Sequence, residues 1–270
     1  MIKRRRKALG QHFLKNRAVL EKILQVISPD ENDLVIEIGA GKGALTFPLA
    51  ERAGKVIAIE KDPCLIPFLL KRSFPNLMIM EKDILRVDFR EIISKEEKFK
   101  RGVKLVGNLP YSLSSPLLFK VLKNKELFTE CIFLLQKEFA QRICGQPGSK
   151  NYAPLSIFFQ IYFFAKIHFL VSPDSFSPAP KVDSALISLK RRRQLLFLIN
   201  NEELFHRFLK AAFRHRRKIL ANNLKMINLP LSRINDAYKK LCLEKNIRPE
   251  QLTISKFVAL YNFFYQQSSI

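Results

Sequence analysis

Gly39, Gly41 and Gly43, which follow the apolar run Leu34 to Ile38, constrain the fold of this chain more than any other feature. A run of that length without polar alternation reads as a strand buried on both faces. The residues after the loop, Ala44 to Ala53, take up a helical period. Strand, glycine loop and helix form the entry to a parallel α/β sheet, in which glycines let the backbone approach a ligand closely. Three more apolar runs, Lys55 to Ile59, Leu77 to Met80 and Val103 to Val106, continue the alternation, which extends to about residue 150. This pattern predicts helices on both faces of one sheet.

Acids close the second and third of these runs. Glu60 falls about 20 residues after the loop, where a carboxylate can take both hydroxyls of a ribose. Asp83 is placed to accept from the adenine amine of the same cofactor. NAD and S-adenosylmethionine both suit a glycine loop followed by an acid. With glycines at 39, 41 and 43 and none at 44, the dinucleotide spacing G-x-G-x-x-G is not met. S-adenosylmethionine has no pyrophosphate to seat on a helix N-terminus and tolerates this spacing. The loop therefore favours a methyltransferase over a dehydrogenase.

After the fourth run comes Asn108-Leu109-Pro110-Tyr111. The lone pair of an adenine N6 is delocalised into its ring and attacks poorly. An amide oxygen and a backbone carbonyl, both acceptors, can hold the two N6 hydrogens and leave the lone pair free. Asn108 supplies the first and Leu109 or Pro110 the second, while Tyr111 stacks on the base. Pro110 fixes its own φ and removes a donor, so a neighbouring carbonyl can be held toward the pocket. A base taken out of its stack needs such a clamp. The same four residues also make an ordinary strand-to-helix turn, and only the upstream cofactor signature favours the chemical reading.

Further blocks extend the pattern along the chain. They are Gly10-Gln11-His12-Phe13-Leu14, Leu135-Gln136-Lys137-Glu138, Phe176-Ser177-Pro178-Ala179-Pro180-Lys181-Val182-Asp183-Ser184 and Phe213-Arg214-His215-Arg216-Arg217-Lys218. With Glu37 to Gly41 and Asn108 to Tyr111, these blocks resemble, in order, the ribosomal RNA small-subunit adenine N6-dimethyltransferases of the KsgA type. His12 stands where many relatives carry Asn, and Ala40 where many carry Pro; His12 can still donate and accept one hydrogen bond each.

The resemblance implies a Rossmann-like class I methyltransferase sheet of seven strands and a small all-helical C-terminal domain. The methyltransferase domain would cover residues 1–190, with a basic arm at 1–9, and a helical RNA-binding domain residues 191–270. S-adenosylmethionine would be held by His12, Leu14, Gly39, Gly41, Glu60 and Asp83, with Asn108 shared between cofactor and base. Phe176 is the candidate for the second face of the base, or else a hydrophobic plug under its proline-rich loop. The implied substrate is two adjacent adenosines in the 3′-terminal hairpin loop of 16S rRNA, within a pre-30S particle, with a role in subunit assembly.

Charge points the same way. Net charge is +23, an excess usually retained for a polyanionic partner. Lys3, Arg4, Arg5, Arg6 and Lys7 open the chain, and Arg191, Arg192, Arg193, Arg214, Arg216, Arg217 and Lys218 gather near the domain junction; these are the candidate RNA contacts. Cys64, Cys131, Cys144 and Cys242 form no C-x-x-C pair and are read as buried free thiols of a reducing, cytoplasmic compartment. No metal ligand spacing occurs, and Leu155 to Val171 is too interrupted to span a membrane, so no metal and no membrane are expected. A monomer is expected. The alternatives are a 23S rRNA dimethyltransferase of the erythromycin-resistance type, which usually has Ile after the Asn, and a non-catalytic RNA-binding factor on the same fold. Intact Asn108, Tyr111, Glu60 and Asp83 argue against the latter.

Overall fold

The computed structural model describes residues 11–99, 102–195 and 197–265. Two short strands, β1 (Phe13–Leu14) and β8 (Phe176–Ser177), pair antiparallel, with Leu14 opposite Phe176. The main sheet comprises β2 (Leu34–Ile38), β3 (Lys55–Glu60), β4 (Leu77–Glu81), β5 (Val103–Asn108), β6 (Glu130–Gln136), β7 (Phe163–Val171) and β9 (Ser184–Arg191). Its order is β4-β3-β2-β5-β6-β9-β7. β2 to β6 run parallel to one another, and β9 returns antiparallel to β6. The sheet is the seven-stranded α/β architecture that the sequence implied.

The central strands show why they read as continuous apolar runs. β2 is buried at all five positions, and β3, β5 and β6 are buried nearly throughout, because helices cover both faces. Ile23, Leu24 and Ile27 of the helix Arg17–Ile27 pack onto this sheet, joined by Val35, Val106, Ile132 and Leu134. That helix is capped by Asn16, whose Oδ1 accepts from Val19 N–H at 3.2 Å. The helix after the glycine loop spans only Thr46–Ala50, shorter than the period from 44 to 53 suggests. Residues 41–45 are spent in turns, since Gly41 and Gly43 adopt positive φ.

Among the described residues, one compact unit comprises those up to 140 together with 164–191, the other 141–163 together with those from 192 onward. The segment 141–163, assigned from sequence to the first domain, thus packs with the C-terminal helices. Arg192 Nε donates to Gln160 O at 2.9 Å and Tyr162 Oη to Glu202 Oε1 at 2.7 Å within this second unit. Its core is aromatic: Phe205, Phe208, Phe257 and Tyr261 are buried, with the rings of Phe205 and Tyr261 edge to face at 5.0 Å. All four cysteines are free, but only Cys131 is buried; Cys64 and Cys144 are half-buried and Cys242 is exposed. Cys242 adopts positive φ just past the helix Leu231–Lys240, in a turn that faces solvent. Among the described residues no helix is long and apolar enough to cross a membrane, and no cluster of three His, Cys, Asp or Glu could hold a metal.

Candidate active site

The glycine loop is built around backbone conformations that other residues resist. Gly39, Gly41 and Gly43 have φ of 72°, 60° and 85°. A Cβ on Gly41 would come within 3.3 Å of the Phe13 ring. Gly41 N–H donates to Glu60 Oε2 at 2.8 Å, and Lys61 and Asp62 N–H both donate to Glu60 Oε1 at 2.9 Å. Glu60 therefore ties the loop after β2 to the end of β3. Burial raises its pKa, and the three backbone N–H bonds pull the other way.

Glu37 lies within β2, fully buried, and its pKa is pushed up to about 7 by burial, with Thr46 lowering and Glu60 raising it further. Its Oε2 has no hydrogen-bond partner. Asp83 is more exposed: Lys61 Nζ donates to its Oδ2 at 2.7 Å and Leu85 N–H to its Oδ1 at 3.0 Å, and Lys61 holds its pKa below the usual value.

At the end of β5, Asn108 Nδ2 donates to the carbonyl of His12 at 2.7 Å. Since a carbonyl only accepts, this bond fixes the amide: the nitrogen faces His12 and Oδ1 is left as the free acceptor. His12 is itself fixed, with Nδ1 donating to Pro178 O at 2.7 Å and its ring 5.7 Å from that of Tyr111. Tyr111 Oη and Ser184 Oγ are 3.1 Å apart. The carbonyl of Pro110 is occupied, accepting Leu113 N–H at 2.9 Å and Ser114 Oγ at 3.4 Å in the first turn of the helix Tyr111–Lys123. Two blocks far apart in sequence meet nearby, where Lys137 Nζ lies 3.1 Å from Asp183 Oδ2.

One cavity of about 290 Å³ gathers most of these groups: His12, Gly39, Gly41, Glu60, Asp83 and the whole run Asn108 to Tyr111 line it, as does Phe176. Phe176 is only 2% exposed and also packs in the main core, so it is both wall and plug. Leu14 instead lines an adjacent cavity of about 430 Å³, with Glu37 and Leu20. Sequence reasoning missed Gln11, Glu37 and Lys61. Gln11 stands in the N-terminal block, and its buried Oε1 on the cavity wall has no partner. Glu37 was visible as an acid inside an apolar strand. Nothing in the sequence signalled Lys61.

The candidate RNA contacts divide by environment. Lys3, Arg4, Arg5, Arg6 and Lys7 lie outside the described residues. Arg193, Arg214, Arg217 and Lys218 are exposed. Arg191 is exposed too, with Nη1 donating to Glu126 O at 2.7 Å. Arg192 is half-buried on Gln160, and Arg216 Nη1 donates to Lys150 O at 2.7 Å, so both also serve the fold.

The residues fit S-adenosylmethionine: a glycine cradle that side chains would fill, an acid at the end of the next strand, and unpartnered buried oxygens of Gln11 and Glu37 in the two adjoining cavities. A seven-stranded sheet with an antiparallel β9, a glycine loop and an Asn-Leu-Pro-Tyr turn at one cavity define a class I S-adenosylmethionine-dependent methyltransferase. Residues 2–266 match the family model described as ribosomal RNA adenine dimethylase, and the chain belongs to that family. It is 40% identical to the ribosomal RNA small subunit methyltransferase A of Geobacter metallireducens, over 95% of this chain and 94% of that one. The protein of the same name from Mycoplasma capricolum is 38% identical, over 96% and 97%. A solved dimethyladenosine transferase from Plasmodium falciparum superposes with a TM-score of 0.81 at 28% identity, covering 94% of this chain and 98% of that one. The 23S rRNA methyltransferase ErmE shares the fold, with a TM-score of 0.72 at 23% identity, covering 93% and 98%.

Proposed function

We propose that the protein dimethylates N6 of two adjacent adenosines in the hairpin loop near the 3′ end of small-subunit rRNA. The observation that carries this reading is the amide of Asn108, a residue lining the cavity, whose nitrogen is committed to the His12 carbonyl so that Oδ1 is left as the acceptor. Two relatives at 38–40% identity are named for the small ribosomal subunit, which supports the choice of RNA.

S-adenosylmethionine supplies an electrophilic methyl group on a sulfonium. Gly39 and Gly41 would let the backbone come close to it, with Glu60 toward the ribose hydroxyls, Asp83 toward the adenine amine, and Gln11 and His12 closing over it. Asn108 Oδ1 accepts one N6 hydrogen of the target base. The carbonyl of Leu109 takes the other, because that of Pro110 is filled by Leu113 and Ser114. Tyr111 stacks on one ring face while Leu109 and Phe176, both buried, exclude water. Positioning and desolvation supply most of the rate. Nitrogen becomes positive as it attacks and loses its proton afterwards, so no strong base is required at N6.

A loop suits this pocket, since its bases are partly unstacked and cost less to extrude. The helical residues beyond 191 and the arm at 3–7 would hold the surrounding phosphates, making a pre-30S particle a better substrate than naked RNA. The protein would act as a cytoplasmic monomer. Incubation with radiolabelled S-adenosylmethionine and either small-subunit particles or large-subunit RNA tests this reading. Label in the small-subunit RNA, mapped by mass spectrometry to two neighbouring dimethyladenosines, is expected; label only in the large-subunit RNA overturns it.

A further inference from the structure

We infer that the catalytic unit carries its own RNA-docking surface, formed by Lys42, Lys71 and Arg72 on a bed of phenylalanine rings; the inference rests on RNA being the substrate. Lys42 Nζ lies 5.5 Å from the centroid of Phe13 and 5.4 Å from that of Phe68. Lys71 Nζ lies 5.2 Å from the same Phe68 ring, and Arg72 Cζ 5.1 Å from Phe47, whose ring stacks with Phe74 at 6.2 Å. The two ammonium groups share one ring, so they are no further apart than the sum of their distances to it.

The manner in which these cations are held is what points to a ligand. Several cations of this unit, Arg52, Lys55, Lys61, Arg90, Lys95, Lys104 and Lys137, each meet a carboxylate. Among the described residues Lys42, Lys71 and Arg72 meet none, although all three are exposed. A carboxylate partner would neutralise a cation, whereas a ring orients it through its quadrupole and leaves the positive field directed outward. Like charges gathered around one ring repel, and a phosphate between them relieves that cost. Leu70, 65% exposed beside Lys71, gives a base or sugar an apolar surface next to the phosphate.

The surface also has a defined place. Phe13, the ring beneath Lys42, lines the catalytic cavity and packs against Gly41. A strand whose phosphates rest on Lys42 and Lys71 is thereby registered against the pocket that receives the target base. Contacts of this kind carry no sequence information but set which nucleotide is presented.

The test is the double variant Lys71→Gln/Arg72→Gln in the full chain, leaving Lys42 in the glycine loop untouched. RNA affinity is measured across a salt series on fragments of both ribosomal RNAs, and slopes are compared on whichever RNA the unaltered enzyme methylates. A large-subunit preference would thus sink the substrate reading without deciding this one. The variant should bind several-fold more weakly, with log K against log salt shallower by up to two contacts of about 0.7–0.9 units each. Its S-adenosylmethionine affinity should be unchanged, which shows it folded. Arg72→Lys keeps the charge and should keep the slope. A slope unaltered in the double variant overturns the proposal, as does a slope lost equally in Arg72→Lys, which would assign the effect to packing on Phe47.

Discussion

Replacing Asn108 tests the base clamp most directly, because its two polar atoms do different work. The amide nitrogen donates to the half-buried His12 carbonyl at 2.7 Å, and Oδ1 is the acceptor left on this cavity-lining residue. Asn108→Ala removes both. Loss of one preorganised acceptor in an active site should raise the barrier by about 3 kcal/mol, a hundredfold or more in turnover. The orphaned carbonyl should cost a further ~1–3 kcal/mol of stability if water does not reach it. Asn108→Asp separates the two. It keeps an oxygen for the base but turns the donor facing His12 into a second acceptor, and two oxygens at that distance repel. The carboxylate must rotate away or take a proton, so the Asp variant should lose at least as much turnover as Ala at pH 8 and regain part of it toward pH 6. Single-turnover methylation measures this, with calorimetry showing that cofactor affinity holds within a few-fold. Near-full turnover by the Asp variant at all pH values would mean that the orientation set by His12 is not used.

Glu60→Ala should weaken S-adenosylmethionine binding by about 2 kcal/mol, since hydrogen bonds to a charged acceptor are worth ~1.5–3 kcal/mol, and should raise hydrogen exchange at Gly41, whose N–H it holds; unchanged affinity in calorimetry makes it a structural residue only. Arg217→Gln should reduce the salt slope of RNA binding by about 0.7–0.9 units, whereas Arg216→Gln, which also frees the Lys150 carbonyl, should lower the melting temperature as well; equal behaviour of the two contradicts that division. Glu37 gives a pH dependence: its folded pKa near 7 exceeds the unfolded value of 4.5, so the folded state binds the extra proton. The contribution of Glu37 to stability is then most favourable below 4.5 and falls as pH rises toward 7, by a few kcal/mol at most. Glu37→Gln should flatten this slope in denaturant titrations; the same slope in the variant removes Glu37 as its source.

The sheet was legible because its strands are short apolar runs punctuated by glycine and acid. Burial on both faces erases alternation in β2, β3, β5 and β6, and that uniformity was the signal. Pairings between distant segments were not legible. β1 and β8 match Leu14 with Phe176 across more than half the chain, and two-residue strands carry no periodicity. The membership of 141–163 in the helical unit was equally hidden. The chain crosses between units after Phe163, the first residue of β7, and both sides of that crossing are apolar. Local pattern reports which residues are buried, not which partner buries them.

The same distinction separates the parts of the site that sequence revealed from those it did not. Residue types sufficed to nominate acceptors for an exocyclic amine, because the chemistry asks for oxygens on a rigid turn. Which oxygens remain free depends on what else binds them. The His12 carbonyl takes the Asn108 nitrogen and thereby aims Oδ1, and Leu113 with Ser114 takes the Pro110 carbonyl and thereby leaves Leu109. Glu60 shows the converse. Its carboxylate already accepts three N–H groups, so it sets the shape of the loop that would receive the cofactor. A residue can be nominated from its type and position, but its role depends on which of its lone pairs the fold has left unspent.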